Sequence, residues 1–338
     1  MTRQAGSPRV TVNDIAREAG VSPATVSKAL NDTGQLRDAT RQLVRETAER
    51  LGFVLDGVGR SLASGRTYSV AVLTGDAIGR FSLPIMLGAE NALAAGKMLV
   101  FLCDSRDDPL REQHYLRNLL ERRAEGVIVT SRRAEPRPPI AAALPAVYAY
   151  APSQDPDDSS VVADDAAGMT LVVDHLVALG RERIAHITGP AGHLSARNRA
   201  EAALARLVEH GLEPSGTPLY GEWSEAWGRA AAEALLEHAS AAPDAIVCGS
   251  DQIARGVTER LRERGVRVPA DIAVTGYDDW DVMAEGSRPT LTTVNPRLGQ
   301  MGRRAAELLL DKIAGRTVSG VERIAPRLVS RASTLGDL

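Results

Sequence analysis

From Tyr68 onward the chain alternates short apolar runs with longer amphipathic segments: YSVAVLT (68–74), LVFLC (99–103), GVIVT (126–130), AVYAY (146–150), RIAHIT (183–188), AIVCGS (245–250) and IAVTGY (272–277). Runs that are apolar at consecutive positions must bury both faces, the pattern of a parallel strand covered by helices on each side. Strands separated by helical stretches predict an α/β fold, and two successive sets of units predict two similar lobes. Ligands of such sheets bind beyond the carboxyl ends of the strands, so a crevice where the two lobes meet is the expected site.

Ahead of this body lies a different pattern, TVNDIAREAGVSPATVSKALN (11–31). Thr11 with Asp14 makes a short capping box, and Ile15, Ala16 and Ala19 share one helical face that Gly20 terminates. Ser22 followed by Pro23 starts a second helix whose buried face is Val26 and Leu30. TRQLVRETAERLGF predicts a third helix, with Leu43, Val44 and Leu51 closing a small core. Two short helices around a glycine turn have the layout of a helix-turn-helix, whose second helix enters the major groove of DNA. Pro23, Ala24 and Lys28 then project from that helix, while Ser22, Thr25 and Ser27 offer hydroxyls to phosphates or bases. Lys28 has the reach for guanine O6 and N7.

Charge agrees with this division. Residues 1–67 carry ten Lys/Arg against seven Asp/Glu, and the remainder thirty against thirty-six. A basic head on an acidic body suits a polyanion contact at one end. Cys103 and Cys248 each sit in an apolar run, which excludes a disulfide framework or cysteine metal site and fits a reducing cytoplasm. No signal peptide or bilayer-length apolar stretch is present, so no membrane is expected as a partner.

The stretch 11–31 resembles the DNA-binding head of LacI/GalR bacterial transcription regulators. The likeness continues through LGFVLDGVGRSLASGRT and through SARNRAEAAL, GSDQIARG, VPADIAVTGYDD and PTLTTVNPRLGQMG of the body. It implies a small all-α helix-turn-helix head (1–53), a hinge (54–67) and a core of two Rossmann-like lobes of periplasmic-binding-protein type (68–338). Three crossings between the lobes are implied, with the first lobe near 68–172 and 294–320 and the second near 173–293 and 321–338. Thr11, Ser22, Pro23, Ala24, Thr25, Ser27, Lys28, Asn31 and Leu62 are the candidate DNA contacts, Leu62 as a wedge that kinks the minor groove. The hinge departs from the family pattern at Phe53, Leu55, Asp56 and Gly59. Gly57 and Gly59 each cost a helix roughly 1 kcal/mol relative to alanine, so a hinge helix is harder to order here.

Carried over by position, Arg199 in SARNR matches an arginine that bonds polar groups of a small effector, Asp278 in GYDD matches an acceptor facing it, and Trp223 in GEWSE a stacking ring. Vicinal hydroxyls suit a guanidinium and a carboxylate, and an indole covers the C–H face of a pyranose. Phe81, Asp104, Tyr150, Asp165 and Ser250 are further pocket candidates at strand ends. A structural ion pair of Arg199 and Asp278, and a core position for Trp223, are the alternative readings.

The six histidines show no metal-ligand spacing, and neither a Gly-x-Ser-x-Gly elbow nor a phosphate-binding glycine loop is present, so no enzyme, cofactor or metal is expected. The expectation is a cytoplasmic, homodimeric repressor of double-stranded operator DNA, controlled by a sugar. A purine or nucleoside effector and a stand-alone solute-binding protein are the alternatives. No leucine heptads follow PRLVSRAST, so a tetramer is not expected.

Overall fold

The computed structural model describes residues 10–30, 33–53, 66–76, 79–94, 98–238 and 242–336. The head up to Thr67 and the body from Tyr68 are separate compact units. Asn31, Leu62 and the hinge positions Leu55, Asp56, Gly57 and Gly59 lie outside the described residues.

In the head, the Thr11 hydroxyl accepts from the Asp14 N–H at 3.3 Å while the Asp14 carboxylate accepts from the Thr11 N–H at 3.0 Å, opening helix α1 (Val12–Ala19). Gly20, at φ 67°, closes it in a conformation that only glycine adopts cheaply. Ser22 Oγ accepts from the Thr25 N–H at 3.1 Å at the start of α2 (Pro23–Leu30), and α3 (Asp38–Arg50) completes the head. Ile15, Ala16, Val26, Ala29, Val44 and Ala48 form the core. Leu43 corrects the expectation: it is 46% exposed, because Val44, Thr47 and Ala48 make the buried stripe of α3 and the adjacent position points about 100° away from it.

The body holds two six-stranded sheets. The first is ordered β11 (Gly320–Ile324), β5 (Ser159–Ala163), β4 (Ala146–Ala149), β3 (Gly126–Thr130), β1 (Ser69–Thr74) and β2 (Leu99–Asp104), with every pair parallel. The second is ordered β12 (Arg327–Val329), β10 (Thr292–Asn295), β9 (Ala273–Tyr277), β8 (Ala245–Cys248), β6 (Ile184–Thr188) and β7 (Leu219–Tyr220), parallel except for β12. The inner strands of each sheet are buried on both faces by its own pair of apolar clusters, which accounts for their uninterrupted apolar runs. LVFLC departs from that expectation: β2 is an edge strand, and Leu99, Phe101 and Leu102 are exposed.

Helices α4 (Ser82–Ala94), α5 (Pro109–Glu121) and α11 (Leu298–Ile313) cover the first sheet. Helices α6 (Asp165–Ala178), α7 (Leu194–Glu209), α8 (Glu225–His238) and α9 (Asp251–Glu263) cover the second, with the single turn α10 (Asp281–Ala284) beside α9. Helices α4 and α11 meet backbone to backbone: a Cβ on Gly88 would fall 1.9 Å from the Gly299 carbonyl oxygen.

The chain passes from the first sheet to the second after Ala163 and after Ile324, and between them returns from the second after Asn295. Met169, Val172 and Leu176 of α6 bury against Ile184 and Leu207, which puts this helix in the second lobe from its first turn. Pairing decides the other two: β10 lies beside β9 and β11 beside β5.

Candidate functional site

A cavity of about 620 Å³ opens between the lobes, within the range of small-molecule sites. Its walls come from the segments after the parallel strands: Asp76, Arg80 and Phe81 after β1, Arg132 to Glu135 after β3 and Tyr150 after β4. From the second lobe come Pro190 and His193 after β6, Glu222 and Trp223 after β7, Ser250 and Gln252 after β8, and Asp278 and Trp280 after β9, with Ser195 and Arg199 from α7. Adjacent strand ends in two facing sheets therefore converge on one volume.

Arg199, 4% exposed, is the most constrained of these groups. Its Nε donates to Asp165 Oδ1 at 2.9 Å and its Nη1 to the Gly249 carbonyl at 2.7 Å. The guanidinium lies 3.5 Å from the centroid of the Tyr277 ring, and Nη1 is 3.8 Å from Asp278 Oδ1. Burial works against its charge, but Asp165, Tyr277 and Asp278 outweigh that and raise its pKa, so it stays cationic. Asp278 is raised by burial against the opposing pull of Arg80 and Arg199.

Arg80 reaches from the first lobe to pair with Asp278, donates from Nη1 to Gln252 Oε1 at 3.1 Å, and lies over the rings of Phe81 (4.8 Å) and Trp280 (4.4 Å). Phe81 and Tyr150 stack with centroids 4.9 Å apart. The Trp223 indole N–H donates to His193 Nδ1 at 2.8 Å, and the ring sits so close to Gly189 that a Cβ there would be 2.2 Å away. Ser250 caps α9, its hydroxyl accepting from the Ile253 N–H at 3.3 Å. Beneath Asp278, Asp251 accepts from Thr293 Oγ1 at 2.5 Å and from the Trp280 N–H at 2.7 Å, and burial together with the charge of Asp278 pushes its pKa up to about 8. Tyr150 and Asp278 hold positive φ of 76° and 109°, uncommon backbone that clusters at binding sites.

Of the eight residues singled out for an effector, Arg199, Trp223, Asp278, Phe81, Tyr150 and Ser250 line this cavity. Asp165 stands behind Arg199 as its counter-ion instead of facing the cavity. Asp104 does not line it either. It ends β2, the edge strand of its sheet, where it accepts from the Arg106 N–H at 2.9 Å. Arg80, Gln252, Trp280, His193 and Asp251 were not anticipated. Arg80 and Trp280 directly adjoin anticipated motifs, so a cation beside Phe81 and an indole two residues past Asp278 were the available signals.

In the head, Pro23, Ala24, Ser27 and Lys28 are exposed on α2, and the Ser22 and Thr25 hydroxyls lie 2.9 Å apart. Thr11 is engaged in the capping box. Among the described residues no group of three or more His, Cys, Asp or Glu side chains is placed to hold a metal ion, and no helix is long and apolar enough to cross a membrane.

Comparison with known proteins agrees along the whole chain. Residues 11–55 match the bacterial regulatory proteins of the lacI family, and residues 173–334 match a periplasmic binding protein-like domain. The HTH-type transcriptional regulator CelR of Thermobifida fusca is 32% identical over 94% of this chain and 95% of its own. The HTH-type transcriptional repressor PurR of Aliivibrio fischeri (strain MJ11) is 29% identical over 97% and 99%. Among solved structures, the lac repressor dimer bound to operator and the anti-inducer ONPF superposes with a TM-score of 0.77 at 28% identity, covering 97% of this chain and 99% of that one. The complex of CelR with cellobiose gives 0.67 at 29% identity, covering 96% and 100%. With the capped helix-turn-helix, the paired parallel-sheet lobes and the cleft between them, these matches identify the chain as a member of the lacI family, a DNA-binding transcriptional regulator.

Proposed function

We propose that this protein is a homodimeric, cytoplasmic repressor of operator DNA whose affinity is set by a sugar bound between the lobes. The observation that carries the effector reading is Arg199, buried and held by Asp165 and Gly249 with its guanidinium 3.8 Å from Asp278 at the cavity wall. This pair presents fixed donors and an acceptor to vicinal hydroxyls, while Trp223, anchored by His193, offers an apolar face to a pyranose. Ser250, Gln252, Glu222 and Glu135 extend the polar rim. A purine or nucleoside effector is the rival reading, but a flat base needs a second aromatic face, and Phe81 already faces both Tyr150 and Arg80.

The dimer reading rests on exposed Leu83 and Leu87 of α4 and Leu99, Phe101 and Leu102 of the edge strand β2, an apolar surface suited to a second copy. On DNA, Lys28 is the base-reading donor of α2, with Ser22, Thr25, Ser27 and Thr11 near the phosphates and Asn31 and Leu62 completing the contact.

The test is a panel of mono- and disaccharides beside purines and nucleosides, read by melting temperature and then by operator affinity in fluorescence anisotropy. A saccharide should raise the melting temperature and change operator affinity, and Arg199→Lys, which keeps the charge without the planar fork, should lose both responses. A response to purines alone would overturn the sugar reading.

A further inference from the structure

Arg80 belongs to the first lobe, yet almost every partner of its guanidinium belongs to the second. Nη2 pairs with Asp278, Nη1 donates to Gln252 at 3.1 Å, and the group lies 4.4 Å from the Trp280 centroid, with Phe81 its one partner on its own side among the described residues. The side chains of Arg80 and Asp278 are 15% and 7% exposed, so this is a sheltered ion pair across the cleft and not a surface contact. Asp278 is also the carboxylate that faces Arg199 at the cavity wall.

We infer that Arg80 is a built-in occupant of the effector cleft: it latches the lobes together in the ligand-free protein, and an effector gains Asp278 and the Trp280 face only by displacing it. The inference rests on the proposal that this cleft is the effector site. Three features separate a displaceable latch from a permanent strut. Arg80 Nε is buried with no acceptor among the described residues, so the guanidinium is incompletely satisfied, whereas Arg199 is fixed from behind by Asp165 and Gly249. Its bond to Gln252 and its contacts with two rings engage groups that themselves line the cavity. Around Arg199 the buried charges pair off while Arg80 stays, two arginines against Asp165 and Asp278, with Asp251 mostly protonated at neutral pH and Asp76 held separately by the Phe81 and Ser82 N–H groups.

Removing the guanidinium from that cluster leaves Asp165 and Asp278 to share Arg199 alone, so the displacing ligand has to bring hydrogen-bond donors to Asp278. This selects an uncharged, hydroxyl-rich sugar over a sugar acid, whose carboxylate would meet Asp278 without its counter-ion. If the latch is released in about a tenth of the ligand-free molecules, the apparent affinity is weakened about tenfold, and deleting the latch restores it.

The experiment has a ligand-free arm and a ligand arm, both on the full chain. Spin labels at Glu121 in the first lobe and Glu213 in the second report the interlobe distance by pulsed electron resonance. Arg80→Ala should broaden or shift the ligand-free distribution, and Arg80→Lys, which keeps the cation without the fork, should fall between it and the wild type. Calorimetry with the saccharide identified in the panel should show about tenfold tighter binding to Arg80→Ala. An unchanged ligand-free distribution in both variants overturns the latch whether or not any sugar binds. Equal saccharide binding by Arg80→Ala overturns the displacement, and weaker binding overturns it by showing that Arg80 holds the ligand. If no saccharide binds the wild type, the sugar reading fails while the ligand-free arm still decides the latch.

Discussion

At the cleft, the second lobe holds its own groups in place. Arg199 is fixed by Asp165 and Gly249, Trp223 by His193, and Ser250 by the first turn of α9. The first lobe, with the same strand order, presents Arg80 on the segment after β1, and that side chain finds its hydrogen-bonding partners across the gap. One half of the cleft is thus preorganised and the other is completed by contact. The difference teaches that a repeated architecture fixes where a site lies, while local partners decide which half is rigid.

The largest effect that bears on this contrast is expected at Arg199. Arg199→Ala strands Asp165 as a buried, unpaired charge and should lower the stability of the body by about 3–5 kcal/mol in urea denaturation. Arg80→Ala should cost clearly less, because Asp278 still faces Arg199 and the cavity. Equal losses would break the contrast.

The next effect is a pH dependence lodged in the second lobe. Asp251, at about 8 in the fold and near 3.8 when unfolded, keeps a proton that the unfolded chain has released, so it makes stability fall as pH rises between those values. His186, pushed down to about 4 by burial, does the opposite between about 4 and its ordinary 6.5. The two oppose each other up to pH 6.5, and above it the decline set by Asp251 continues to pH 8 without that opposition, at up to about 1.4 kcal/mol per pH unit. Asp251→Asn should flatten that decline in denaturation curves taken at pH 6.5, 7.2 and 8. A decline that persists would mean that the cluster around Asp278 does not protonate Asp251.

The smallest effect is expected in the first lobe. Phe81→Leu keeps an apolar side chain but loses the stack on Tyr150, worth about 0.5–1.5 kcal/mol, and should lower the melting temperature by no more than about 5 °C. A larger drop would show the first lobe's wall to be as rigid as the second's.

Much of this was readable in the residues. Capping chemistry is local, so Thr11, Asp14, Gly20 and Ser22 announced the head, and strands buried on both faces announced the sheets. Arg199, Trp223 and Asp278 came from motif likeness. What strand-end reasoning missed is the position of a strand within its sheet. Asp104 ends an edge strand, and edge position follows from strand order, which no local pattern encodes. Asp165 and Asp278 are both carboxylates next to apolar runs, and only packing makes one a counter-ion behind Arg199 and the other a wall of the cavity. Arg80 escaped for a related reason: its partners lie roughly two hundred positions along the chain, beyond the reach of periodicity.

The three lobe crossings have a mechanical consequence. Ala163 and Ile324 are paired neighbours where the chain leaves the first sheet, and Asn295 and Arg327 are paired neighbours in the second. The three connections therefore run abreast along one margin, each only a residue or two long. Struts placed side by side resist shear and torsion but yield to flexion about the line that joins them, as a door hangs on several knuckles of one pin. Three short connections abreast thus confine any relative movement of the two lobes to a single rotational coordinate.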